Sequence, residues 1–178
     1  MEGTYHYSKI DNLISAEITD VKVTPGPVFN FVSEYMNVNK AKIDGTEFTF
    51  NARPWDFWEL FASWEYLHKV DDDTGERLQD YAQNKVKLGS TLYFGKAKFH
   101  TYYRKIIDFY APAPSRELVK TTYTQVDVRL SYELFKTHEL FCGIDNLFDE
   151  KSPGNWTRGG SVIDPGARYY YVGYSAEF

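Results

Sequence analysis

The chain has 178 residues, a formal net charge of −5 and a mean hydropathy of −0.50. The length suits one domain, the charge argues against nucleic acid as a partner, and the absence of any run of 18 apolar residues excludes a transmembrane helix. Aromatic residues make up 18% of the chain, an enrichment typical of the interfacial girdles of membrane β-barrels.

The first third of the chain predicts long strands separated by loops and a tight turn. Residues 4–18 predict one or two strand segments, and residues 25–27, with the sequence Pro-Gly-Pro, predict a loop. Residues 29–52 predict a long extended run, with a bulge or kink at 37–39. Residues 53–56 predict a tight turn before the next strand.

The strands that follow alternate between apolar and polar residues, as expected when successive side chains leave a pleated backbone on opposite faces. The segment from Tyr123 shows the clearest alternation, with Val126, Val128 and Leu130 on its apolar face. The polar faces are predicted to point inward. Their members are Glu59, Glu65, Lys85, Lys87, Arg104, Gln125, Asp127, Arg129 and Glu133.

The pattern predicts about eight strands. The connections between consecutive strands alternate between short turns and long loops. Short turns are predicted at 53–56, 95–97 and 135–138. Long loops are predicted near 20–28, 71–82, 109–118 and 149–166. An antiparallel meander would place all short turns at one end and all long loops at the other, as in outer-membrane barrels.

The last strand ends in an aromatic residue on its apolar face. Tyr170, Val172, Tyr174 and Phe178 share this face, which has to be covered by protein or lipid. We interpret it as a lipid-facing seam.

Three segments resemble TonB-dependent outer-membrane receptors. IDGTEFTF at 43–50 resembles the G-V-E strand of that family, GIDNLFDEK at 143–151 its N-L-F-D segment, and PGARYYYVGYSAEF at 165–178 its closing strand. The resemblance implies an all-β fold: an antiparallel transmembrane β-barrel segment of about eight strands, part of a larger barrel of roughly 22 strands. Residues 1–178 would be the C-terminal part of the barrel, with the plug domain and the N-terminal strands absent.

The resemblance also implies a function and partners. It implies energy-coupled uptake of a scarce ligand (a siderophore, haem, cobalamin or a glycan) at the bacterial outer membrane. Outer-membrane lipid and the outer-membrane assembly machinery would be partners, and the TonB system would act only through the absent plug. Tyr170, Val172, Tyr174 and Phe178 would form the signal that the assembly machinery recognises.

Two other functions stay open at this stage. A self-contained eight-stranded outer-membrane barrel could have a structural or adhesive role, although its narrow interior would have to pair many charges. A soluble β-barrel or sandwich would require the face of Val126, Val128 and Leu130 to point inward.

Candidate site residues are few. Tyr110, Arg116, Trp156 and Arg158 lie in predicted long loops and have the composition of binding hot spots. The acidic stretch 71–76 fails the calcium-loop pattern and predicts a solvated hairpin loop. The four histidines lack metal-ligand spacing, Cys142 is expected to pack, and no motif predicts a catalytic residue, a metal site or a cofactor.

Overall fold

The computed structural model describes residues 1–23, 29–78, 81–112, 118–150 and 166–176. These residues contain no helix with the length and apolar character needed to span a membrane. Within these ranges the secondary structure is a set of β-strands. Their bounds are β1 Glu2–Val23, β2 Phe29–Trp55, β3 Trp58–Asp71, β4 Tyr81–Phe94, β5 Ala97–Pro112, β6 Leu118–Phe135, β7 His138–Asp145 and β8 Tyr169–Ala176.

The strands form one antiparallel meander in the order β1-β2-β3-β4-β5-β6-β7-β8. Each strand therefore pairs with its neighbours in sequence, and in the part of the chain that the structure describes β1 and β8 each have one paired edge. The sheet is open, so the closure that a self-contained eight-stranded barrel requires is not present between these two strands.

The predicted alternation of short and longer connections is confirmed, but the loops predicted near 20–28 and 109–118 are shorter than predicted, because β1 extends to Val23 and β5 to Pro112. Short connections join Trp55 to Trp58, Phe94 to Ala97 and Phe135 to His138. Glu2 pairs with Thr49 near the first of these turns, and Ala176 pairs with His138 at the last. The start of β1 and the end of β8 therefore lie toward the end of the sheet that carries the short turns.

Several predicted boundaries need correction. β1 begins at Glu2 and extends to Val23, beyond the predicted 4–18, because it pairs with β2 along its length. β2 continues to Trp55, so the first tight turn is narrower than 53–56. A bulge at 37–39 is wrong, since the register there is unchanged and shifts instead between Ile18 and Asp20. The kink at 37–39 stays a prediction.

The two faces of the sheet follow the predicted alternation. Strand pairing places Ala62, Leu88, Tyr103 and Val126 in one cross-strand row, and Leu130 lies on the same face. No second layer in the described residues covers this face, which argues against a soluble sandwich. Its exposed large side chains include Phe50, Trp64, Leu88, Phe99, Leu130, Tyr132, Leu140, Tyr170, Val172 and Tyr174. Cys142, predicted to pack, is exposed on this face between Leu130 and Val172.

A break in alternation produces the main buried cluster. The register of β5 against β6 shifts between Ile106 and Phe109, and Asp108 between them has a positive φ of 52°. An extra residue in one strand bends it and re-aims its side chains. The cluster contains Ala82, Ile106, Phe109 and Tyr123.

Candidate functional site

The polar face of the sheet holds a series of cross-strand ion pairs and hydrogen bonds. Lys85 Nζ lies 2.8 Å from Glu65 Oε1, directly across β3 and β4. Glu139 accepts from Arg129 at 3.0 Å and from Lys98 at 3.4 Å. Opposite charges on neighbouring strands stabilise a sheet. The predicted polar set is therefore confirmed as one face, and its charges are largely paired across strands.

A shallow depression lies on this face near the first short turn. Its lining includes Gly89, which lies beside Phe61. On its rim, Glu59 accepts a 2.7 Å hydrogen bond from the Tyr93 hydroxyl and lies 3.4 Å from Arg53. Thr91 and His100 share a 2.9 Å contact. The depression thus combines aromatic surface with fixed polar groups.

A chain of hydrogen bonds crosses the same face from β5 to the end of β7. Arg104 Nη2 donates to Gln125 Oε1, and Gln125 Nε2 donates to Asp127 Oδ1 at 2.9 Å. The backbone N–H of Asn146 donates to the same carboxylate oxygen at 2.8 Å. Each side chain in the series is oriented by the next.

Asn146 is the centre of a tight turn that follows β7. Its side chain is fully buried, and its Nδ2 donates to the carbonyls of Gly166 at 2.6 Å and Glu150 at 3.0 Å. Its Oδ1 accepts from the Glu150 N–H at 2.9 Å. Asp149 accepts from the Arg168 N–H at 3.1 Å. The N-L-F-D segment therefore joins the two described ends of the connection between β7 and β8.

Two glycines allow aromatic rings to lie flat across β7 and β8. A Cβ at Gly143 would clash with the Tyr171 hydroxyl, and a Cβ at Gly173 would clash with the Phe141 ring. Phe141 also lies under the Arg129 guanidinium, 4.1 Å from its centroid. A one-residue slip would separate each ring from its glycine, so these contacts fix the register of the last strand.

The acidic turn after β3 uses its carboxylates locally. Asp71 Oδ1 accepts from the N–H groups of Asp73 at 2.8 Å and Thr74 at 2.9 Å. Asp72 lies 2.8 Å from Lys9, and Asp73 lies 3.5 Å from Lys40. The Thr74 and Asp73 N–H groups hold the pKa of Asp71 below its usual value, and the Lys9 hydrogen bond lowers the pKa of Asp72.

The structure places the predicted assembly-signal residues on one face of β8. Tyr170, Val172 and Tyr174 pair with Ile144, Cys142 and Leu140 and are exposed on the apolar face. Phe178 lies outside the described residues.

The predicted ligand residues are mostly outside the described part of the chain. Arg116, Trp156 and Arg158 lie outside the described residues. The loop position predicted for Tyr110 is wrong, because its backbone is in β5 and pairs with Tyr81 and Lys120. Its side chain is not described. The described part of the chain therefore does not test whether these four residues lie together. They stay predictions.

Sequence reasoning assigned no role to Asn146. The signal was available, because Asn146 begins the N-L-F-D segment quoted for the family resemblance. A short polar side chain that tolerates a positive φ is suited to a turn, and Asn146 has a φ of 51°. Its complete burial depends on Gly166, which is distant in sequence.

Comparison with known proteins identifies the family. Residues 1–147 match the family model described as TonB dependent receptor-like, beta-barrel. A curated relative, the heme/hemopexin utilization protein C of Haemophilus influenzae (strain 86-028NP), is 27% identical over 158 residues, which is 85% of this chain and 22% of that protein.

Solved structures show the same fold. A mutant of the ferric enterobactin receptor of Pseudomonas aeruginosa superposes with a TM-score of 0.71 at 17% identity, covering 99% of this chain and 28% of that one. The siderophore receptor PirA of Acinetobacter baumannii has a TM-score of 0.66 at 13% identity, with 99% and 29% covered. The chain thus spans less than a third of the length of these relatives.

Proposed function

Because this chain belongs to the TonB-dependent receptor-like β-barrel family, we propose that its strands are consecutive wall strands of a receptor for energy-coupled uptake of a scarce ligand. The chain lies in the bacterial outer membrane, as barrels of this family do. Residues 1–178 are proposed as the C-terminal part of that barrel.

The observation that supports this proposal best is the separation of the two faces. An uncovered apolar face continues from Phe50 on β2 to Val172 on β8, whereas the opposite face is polar and cross-linked by ion pairs. Large exposed apolar patches mark surfaces that meet lipid or protein, and alternation of an apolar outer face with a polar inner face is the pattern of membrane barrels. The apolar face is therefore assigned to lipid and the polar face to the lumen.

The aromatic residues at the short-turn end support the same orientation. Trp55 and Trp58 stack with ring centroids 5.5 Å apart, and Trp55 stacks on Phe57 at 5.9 Å. Phe94 and Phe135, at the other two short turns, are also exposed. Aromatic rings concentrate at membrane interfaces. The short-turn end is proposed to face the periplasm and the long-loop end the exterior.

The ligand class stays open within this proposal. The proteins named above are described as acting on ferric enterobactin, on siderophores, or in heme and hemopexin utilization. We include haem, siderophores, cobalamin and glycans as candidates, contacted from the long-loop end by Tyr110, Arg116, Trp156 and Arg158. Coupling to TonB would pass through a plug region that the described residues do not include.

The proposed partners during biogenesis are outer-membrane lipid and the assembly machinery. Tyr170, Val172, Tyr174 and Phe178 are proposed as the signal for that machinery, supported by the exposure of the first three on β8. No observation favours the self-contained eight-stranded barrel or an enzymatic activity.

Uptake by intact cells tests the proposal. Cells that produce the full receptor containing this chain should accumulate one labelled member of a panel comprising ferric siderophores, haem, cobalamin and oligosaccharides. Accumulation should be lost in matched cells that lack TonB, because active transport needs energy from the inner membrane. Uptake that persists unchanged without TonB would overturn the proposal.

A further inference from the structure

Two cations face each other on the polar face with no acid opposite either of them. Lys87 on β4 pairs directly with Arg104 on β5, so the two side chains leave the same face about 5 Å apart at Cβ. Lys85, two residues earlier, is neutralised by Glu65. Among the described residues, the Lys87 side chain has no ion pair or hydrogen bond. Like charges placed directly opposite destabilise a strand pair, so this pairing weakens the sheet.

The Arg104 guanidinium donates a hydrogen bond to Gln125 on β6 and keeps other N–H donors without an acceptor in the described structure. Gln125, only 7% exposed, accepts one hydrogen bond from the guanidinium but brings no negative charge to it. Arg104 Nε is buried and finds no acceptor among the described residues. Gln125 is itself held by Asp127, whose carboxylate also accepts from the backbone of Asn146. The guanidinium is thus held in place while its charge stays uncompensated.

We propose that Lys87 and Arg104 together bind an oxyanion, the carboxylate or phosphate group of a molecule on the polar face. Arginine binds such groups through two parallel N–H donors, and lysine adds a compact positive charge. A bound oxyanion would relieve the repulsion between the two cations and provide acceptors for the guanidinium. The inference rests on the proposed function only for placing this face in the lumen. The oxyanion could belong to a free small molecule or to an acidic side chain of a polypeptide segment inside the barrel.

Selenate is a suitable probe because its anomalous scattering locates it. In crystals of the full receptor soaked with selenate, we expect either anomalous density between Lys87 Nζ and the Arg104 guanidinium, or a protein carboxylate already within hydrogen-bond distance of both. The first outcome identifies a site for free oxyanions, and the second identifies an internal polypeptide source. Neither group at this position would overturn the proposal.

Titration calorimetry with selenate tests whether Lys87 and Arg104 bind the anion. It uses a form of the receptor in which no protein carboxylate occupies the site. The K87M/R104M double variant should bind selenate at least about tenfold more weakly, because charge-assisted hydrogen bonds are lost. Lys87→Glu should abolish binding while keeping the fold, since it supplies its own carboxylate to Arg104. Lys85→Met, which removes a cation already paired with Glu65, is the matched control and should bind normally. Equal binding by the double variant would identify an adventitious ion only.

This test is independent of transport. Loss of selenate binding with normal TonB-dependent uptake would leave the proposed function in place, whereas normal selenate binding without any uptake would leave the oxyanion site in place.

Discussion

At the residue scale, Asn146 combines complete burial with a positive φ, and only a few residue types tolerate both. It is fully buried, has a φ of 51°, and uses both side-chain atoms to bind backbone groups on either side of the connection between β7 and β8. A polar group is buried at little cost only when it is hydrogen-bonded. Asn146 therefore stabilises the entry to the last strand.

Substitutions of Asn146 separate the contribution of its side-chain hydrogen bonds from that of its positive φ. Asn146→Gly keeps the positive φ but removes the side-chain hydrogen bonds, and should lower the free energy of unfolding by about 1–3 kcal/mol. Asn146→Ala should cost about 1 kcal/mol more, because a Cβ disfavours this backbone conformation. Urea unfolding of the receptor in lipid vesicles, followed by tryptophan fluorescence, measures both.

Asn51→Ala is the control for these variants, because Asn51 is exposed on the polar face and its substitution should change stability by less than about 0.5 kcal/mol. An Asn146→Gly variant as stable as its parent would show that the buried amide contributes nothing.

The acidic turn predicts a local pH dependence. The Thr74 and Asp73 N–H groups lower the folded-state pKa of Asp71. A carboxyl group with a depressed folded pKa contributes stability that is present above its unfolded pKa and is lost as the pH falls through the folded pKa. We expect the amides of Asp73 and Thr74 to be protected from exchange near neutral pH and to lose this protection as the pH falls through the lowered pKa of Asp71.

Hydrogen exchange measured by NMR on detergent-solubilised protein checks this expectation. Asp71→Ala should make both amides exchange rapidly at every pH, whereas Asp73→Asn, which keeps Asp71, should preserve the pH dependence. Protection that is independent of both pH and Asp71 would contradict the turn geometry.

At the element scale, β6 tests the assignment of faces. Its odd-numbered residues Gln125, Asp127 and Arg129 lie in the polar network, and its even-numbered residues Val126, Val128 and Leu130 lie on the apolar face. Period-two alternation along one strand thus separates two environments. The same strand provides residues for both sides of the sheet.

Arginine at Val128 or Leu130 should cost roughly 2–4 kcal/mol if these residues face the middle of the bilayer. Unfolding titrations of the receptor in lipid vesicles measure this cost. Asn51→Arg is the matched control on the polar face and should change stability by less than about 1 kcal/mol, because its side chain meets water. If both outer-face arginines are tolerated like the control, the apolar face does not meet lipid.

At the scale of the whole molecule, the open sheet predicts how the eight strands behave by themselves. β1 and β8 each have an unpaired edge in the described structure, and unpaired edges invite association with other chains. Residues 1–178 refolded alone in detergent should therefore migrate as aggregates or an expanded species on an unheated gel. The full receptor is the positive control, and a compact, heat-modifiable monomer of residues 1–178 would favour the eight-stranded alternative.

Much of the fold was predictable because membrane β-barrels encode it locally. The polar set from Glu59 to Glu133 and the turn at Gly95 follow from alternation and turn chemistry, and the structure confirms them. No local pattern predicts the irregularity in β5 after Arg104. Its cause, the register shift between Ile106 and Phe109, depends on pairing with β6, which no local pattern specifies.

The sequence by itself determined the strand-by-strand alternation, the asymmetry of the connections and the family resemblance, because each depends on neighbouring residues in the chain. Only the tertiary structure decided that Lys87 faces Arg104, that Asn146 binds Gly166, and that β2 pairs with β1 up to Val23. These contacts join residues on different strands, so their formation depends on register. Register is set by the pairing of whole strands and not by any single segment.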